Sequence, residues 1–214
     1  MSGNTPFFRR TAVLLIWLTV SVFLMYSVYE NLISNPEAKE FLSRKTGLKR
    51  ELRLPVWLTV MHVHVIAAAA AMAAGTAALT LLRADRFRKL HRWNGYLYVL
   101  STVIVNLSSG YMAPYATGGK INSIAFNAIN IIWFVFTLLA VLAIRRGNVR
   151  EHGDWMLRSY MFCYTNFIIH AVHRIAHQGF GLDYYVSYTA GIYGSIAVNL
   201  LAAQWLIRLR RKSL

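Results

Sequence analysis

Apolar residues in this chain come in long blocks separated by charged turns, not at the period of two that marks half-buried strands. The blocks run over about 11–29, 55–82, 93–112, 124–144, 155–175 and 185–207. Each is near the roughly 20 residues that a helix needs to cross the hydrocarbon of a bilayer. The pattern predicts an all-α, polytopic membrane helix bundle with six transmembrane helices, residues 1–214 forming a single integral membrane domain.

Within that frame the second block stands out. His64, Ala68, Ala71, Gly75 and Ala78 are spaced four and three residues apart and so fall on one helical stripe. Small residues on a membrane helix either let another backbone approach closely or leave room for a flat ligand. Pro55 opens this helix, where proline costs no hydrogen bond. The turn after Arg83 is short, so the second and third helices pack as an antiparallel hairpin. The one long connection, residues 30–54, holds Asn35, Pro36 and Glu37 as the start of a short interfacial helix carrying Phe41 and Leu42. Asn122, Asn127 and Asn130 in the fourth span and Asn106 in the third are expected to make interhelical hydrogen bonds.

Composition changes the picture in two respects. A net charge of +15 in a soluble protein would point to nucleic acid, but here Lys and Arg cluster in the short loops, where the positive-inside rule explains them without a nucleic-acid partner. Arg9, Arg10, the run from Arg83 to Arg92, Arg145, Arg146, Arg150 and the Arg208–Lys212 tail fall on one side of a six-span bundle. This places a multi-pass protein in the cytoplasmic (inner) membrane with both termini cytoplasmic. The single cysteine, Cys163, forms no disulfide or thiolate metal site within one chain, so redox or metal chemistry rests on histidine.

The seven histidines fall at 62, 64, 91, 152, 170, 173 and 177. His62, His64, His170 and His173 belong to the outer halves of their helices, His177 to an outer end, and His91 and His152 to cytoplasmic ends. In an uninterrupted helix, His152 and His170 lie on one face, roughly 27 Å apart along the axis. Asn148 with Glu151 three residues later resembles a capping box that starts this helix before His152, with Asp154 as a competing cap. Two imidazole pairs, one per leaflet, are what two six-coordinate b-type haems require. The candidate ligands are His64 with His170 or His173 outside and His91 with His152 inside. Arg83, Arg92 and Arg158 would hold inner propionates and Arg174 outer ones, since guanidinium binds carboxylates bidentately. A different use of the outer group has His64, His170, His173 and His177 binding one zinc, iron or copper ion. Tyr111, Tyr115, Tyr184, Tyr185 and Tyr188 read as an aromatic belt.

Two stretches carry a family resemblance. LHRWNGYLYVL, with His91, Arg92, Gly95 and Tyr98, and EHGDWMLRSYMF, with His152, Trp155, Met156, Arg158 and Ser159, resemble the bacterial predicted membrane proteins grouped as domain-of-unknown-function family 2306. The resemblance covers roughly residues 60–180 and matches a histidine to His64, a glycine to Gly75 and an arginine to Arg174. It implies a membrane bundle and no defined activity. A looser similarity is to transmembrane two-haem cytochromes b, from which this chain departs in placing its inner histidines close to helix ends. Membrane assembly factors of haem-copper oxidases are similar in their scattered histidines.

The leading expectation is a membrane haem-binding or electron-transfer protein. Its partners are the lipid bilayer and a redox protein or quinone, with homo-oligomers left open. The alternatives are a non-catalytic accessory or assembly protein with a histidine metal site, and a membrane enzyme or carrier for an apolar small molecule.

Overall fold

The computed structural model describes residues 6–45, 51–81 and 85–212, and no strand occurs among them. Helix α1 (Pro6–Tyr29) runs into a π-helical turn, Glu30–Ser34. The short α2 (Lys39–Ser43) follows, then α3 (Leu54–Thr80), α4 (Arg88–Met112) and α5 (Gly119–Arg145). Helices α6 (Val149–Met161) and α7 (Thr165–Arg174) are joined through a 3-10 turn, Phe162–Tyr164, and α7 continues into a π-helical turn, Ile175–Gly179. The chain ends in α8 (Tyr184–Lys212). Among the described residues, Val13–Ser34, α3, α5 and α8 are long and apolar enough to cross a membrane. This is an all-helical, multi-pass membrane protein embedded in the lipid bilayer. Helix α4 and the α6–α7 rod carry more polar residues and pack among those four.

Local sequence accounts for the helix boundaries. Pro55 sits in the first turn of α3. The Asn148 side chain accepts from the Glu151 backbone N–H at 3.0 Å while its amide donates to the Glu151 carboxylate, so the capping box forms and α6 begins before His152. The interfacial helix is a single turn, introduced by the Asn35 side chain accepting from the Lys39 N–H, and Leu42 packs on the buried Trp57 and Met61 of α3.

Helices α3 and α4 form the expected hairpin, pinned by the Asn94 amide donating to the Ala74 carbonyl at 2.8 Å. The core falls into two layers. One joins Ala67, Val105, Ile129, Trp133, Phe162 and Ile192 from five helical rods; the other joins Ala71, Ala74, Tyr98 and Tyr160. Gly75 is required here, because an added Cβ would lie 2.3 Å from Cδ2 of Tyr160. The small-residue stripe of α3 therefore serves close helix packing, and aromatic rings of α4 and α6 occupy it. Gly191 plays the same part between α8 and α7, where a Cβ would come 2.7 Å from the Ile169 carbonyl oxygen.

Two expectations are corrected. Asn106, Asn122 and Asn127 donate to Thr102, Thr117 and Ser123 carbonyls of their own local chain, because a carbonyl one turn back is always within reach of a short amide. The interhelical amides are Asn94 of the hairpin and Asn199, which donates to Thr165 Oγ1 at 2.9 Å. The rod holding His152 and His170 is also not one uninterrupted α-helix. Its 3-10 turn, with 3.0 residues per turn, advances the phase by about 60° over three residues, so the two positions are no longer in register.

Candidate functional site

The histidines are best described by where their protons go. Ser108 donates its hydroxyl proton to its own helix, at the Ile104 carbonyl 2.7 Å away, so His64 Nδ1, 3.0 Å from Ser108 Oγ, must be the donor in that contact. Ser187 likewise donates to the Tyr184 carbonyl at 3.0 Å, which makes His173 Nδ1, 2.8 Å from Ser187 Oγ, a donor. His152 Nδ1 donates to the Ala140 carbonyl at 2.8 Å and His177 Nδ1 to the Leu182 carbonyl at 2.6 Å. Four imidazoles thus use Nδ1 as a hydrogen-bond donor, which fixes the orientation of each ring. His62 is the reverse: its Nε2 donates to the Pro36 carbonyl at 2.9 Å and pins the loop before α3.

The C-terminal end of α7 meets α8 in an imidazole–tyrosine box. His173 and His177 stack at 5.5 Å with ring planes 8° apart. Tyr184 stands edge-on to His173 at 4.7 Å, and Tyr188 closes the other side at 5.8 Å. The Arg44 guanidinium lies 4.5 Å over the Tyr184 ring. The π-helical turn after Arg174 carries His177 to this stack. Tyr184 and Tyr188, read from sequence as belt residues, are walls of the box; Tyr111 and Tyr115 remain a neighbouring pair at 6.0 Å.

The predicted partners are not gathered into one site. His64 is held by α4, while His173 and His177 are turned to the α7–α8 seam and His170 is exposed on α7. Among the described residues no three His, Cys, Asp or Glu side chains converge as a metal ion requires, so the set His64, His170, His173 and His177 does not form a common site. The near-parallel planes of His173 and His177 explain part of this, because lone pairs in parallel rings do not meet at one point. His91 is half-buried near the start of α4. Arg158 donates to the Gln204 side chain at 3.2 Å and stacks 4.6 Å over Trp155, and Arg174 and Arg92 are exposed. Arg83 lies outside the described residues.

The core also holds a hydroxyl ring that histidine-based reasoning missed. Thr137 donates to the Trp133 carbonyl at 2.9 Å, so Ser159, 2.8 Å away, must donate to Thr137, and Tyr98, 2.7 Å from Ser159, must donate to Ser159. The Trp133 indole N–H reaches back to Tyr98 Oη at 3.5 Å and closes the ring. A second chain runs from Tyr164 through Tyr160 to Thr76, at 2.8 and 2.6 Å. Cys163 packs between the two networks. The available signal was the appearance of Tyr98 and Ser159 in the two sequence motifs.

At the basic end Asp154, buried, binds both Arg210 and Arg211 of α8, the latter at 2.6 Å. This carboxylate is a tie between α6 and α8 and not a helix cap.

A model of the family described as "Predicted membrane protein (DUF2306)" matches residues 61–207. No curated protein and no solved structure matches the chain.

Proposed function

The chain belongs to the DUF2306 family of predicted membrane proteins, and on that premise we propose that it is a haem-binding electron-transfer protein of the cytoplasmic membrane, with six spans and both termini inside. The observation that supports this reading is the common Nδ1 donation of His64, His152 and His173. Imidazoles that ligate metals donate their other nitrogen to a carbonyl or hydroxyl, which fixes the ring and raises the basicity of the ligating atom. These three, on α3, α6 and α7, already do so.

The donor set also favours haem over a bare ion. Structural zinc takes four protein ligands and catalytic zinc three, whereas haem brings four nitrogens of its own and asks the protein for one or two. Imidazoles that occur singly or in twos, with no converging third group among the described residues, fit the second demand. His64, and on α7 His170 or His173, would each offer an outer imidazole from its own seam, and His91 and His152 would offer the inner ones. A bound haem would supply one-electron transfer. The chain's own contribution is to hold the rings: Ser108 and Ser187 fix the two outer imidazoles, and the Ala140 carbonyl fixes the inner one.

Absorption spectra of the detergent-purified protein, oxidised and dithionite-reduced, with metal analysis on the same sample, test the proposal. A Soret band that shifts on reduction, with sharp α and β bands, is expected, and His64→Ala and His152→Ala should each remove about half of the haem. A colourless, folded protein expressed with ample haem would sink the reading. Zinc, iron or copper found in that sample would shift the assignment to an ion site, and neither metal nor haem would leave the accessory or carrier role.

A further inference from the structure

Between α1 and the seam of α3, α6 and α8 lies an apolar hollow of about 290 Å³, with Ile16, Leu79, Leu157 and Leu206 on its walls. It adjoins a second hollow of about 230 Å³ bordered by Leu15, Thr19 and Val20, and Tyr164 lines both. Together they reach the size of a small-molecule site. Four hydroxyls line the first hollow, and each proton in it is accounted for. Thr80 donates to the Thr76 carbonyl at 2.6 Å and accepts from the Trp17 indole at 3.0 Å. Thr76 donates to the Met72 carbonyl at 2.8 Å, so Tyr160 must donate to Thr76 and Tyr164 must donate to Tyr160. Every hydroxyl proton is spent, and the chain ends at Tyr164 Oη as an open acceptor.

A hollow with this lining discriminates among lipids. No residue lining it carries a charge, so it lacks the cation or donor that a phosphate headgroup needs. A ketone, ester or ether oxygen finds no free proton there. What the lining complements is a neutral molecule with an alkyl or prenyl body and a hydroxyl that can donate. We infer that the hollow binds a long-chain lipid alcohol, its hydroxyl donating to Tyr164 Oη and its chain running along α1 into the second hollow. This site uses none of the histidines and does not depend on the haem reading.

Native mass spectrometry of the full chain, released from detergent in the presence of 1-hexadecanol, its methyl ether or hexadecane, tests the inference. The alcohol should be retained at roughly a tenth of the concentration the ether needs, the ratio that one hydrogen bond of about 1.4 kcal/mol supports. In Tyr164→Phe the open acceptor passes to Tyr160 Oη and the advantage of the alcohol should shrink, and in the Tyr160→Phe/Tyr164→Phe double variant it should vanish. Leu157→Trp, which fills the hollow and leaves the hydroxyl chain in place, should lose both ligands while keeping its melting temperature. Equal retention of alcohol and ether by the unaltered protein would overturn the inference, as would an advantage that survives the double variant or full retention by a folded Leu157→Trp protein.

Discussion

The hydroxyl of Tyr98 on α4 donates to the hydroxyl of Ser159 on α6 at 2.7 Å, and both are fully buried. Each belongs to one of the two sequence motifs of the chain, so the motifs meet through this bond. Because Thr137 and Trp133 complete the ring, removing one member strands the others. Tyr98→Phe and Ser159→Ala should each cost about 1 kcal/mol, within the range for polar contacts between membrane helices. Their effects should be strongly non-additive in a double-mutant cycle read by thermal unfolding in detergent; simple additivity would show that the ring does not act as a unit.

Gly75→Ala should cost more than the loss of one of those bonds. The new methyl would press into the Tyr160 ring, and overpacking of this kind costs about 1–3 kcal/mol. Replacing Tyr160 by leucine in the same chain should restore part of the loss. If Gly75→Ala melts with the unaltered protein, the close approach of α3 and α6 is wrong.

At the basic end, Asp154→Asn should loosen the last turns of α8. Arg210 is largely buried against Asp154, and taking away one partner of a buried pair is more costly than the pair is stabilising. Half-exposed Arg211 turns to water at little cost, so the loss should be about 1–3 kcal/mol, below the value for a fully enclosed pair. Hydrogen exchange should show faster protection loss over Leu206–Lys212 alone; uniform destabilisation of the bundle would contradict a local tie.

Lys45 offers a pH-dependent test outside the spans. Its ammonium donates to the Tyr115 carbonyl and lies 5.0 Å over the Trp57 ring, both of which favour the charged form. Burial opposes them and prevails, lowering the pKa from 10.5 to about 8. A lysine depressed on folding penalises the folded state when charged. That penalty is absent above 10.5, grows as pH falls from 10.5 toward 8, and is fully present below 8. Acylation of Lys45 should therefore rise with a midpoint near pH 8, as peptide mapping would show. A midpoint for Lys45 near the ordinary 10.5 would refute the burial.

Much of the bundle was legible in the sequence because blocks of apolar residues, Pro55 and the Asn148–Glu151 box are local signals. The hairpin of α3 and α4 followed from one short turn. The directions of side chains were harder to read. The 3-10 turn at Phe162–Tyr164 depends on packing against α5, where Trp133 stacks on Phe162, and no local pattern announces it. That turn rotates His170 and His173 relative to His152, so a facing drawn from 3.6-residue periodicity failed there. The ring orientations of His64 and His173 depend on which serine each meets on another helix, which spacing along the chain does not reveal.

Helix α1 is lightly seated: only 6% of its apolar stretch is buried, against 28% for α3 and 33% for α8. Its docking points, Thr80 on α3 and Phe167 on α7, come far later in the chain, and the family match begins at residue 61, beyond it. The seat of α1 is therefore built by helices distant from it in the chain. Because that face needs both α3 and α7, α1 is the rod most easily detached without disturbing the rest, held to the bundle by few contacts and by the loop that His62 and Lys45 hold down.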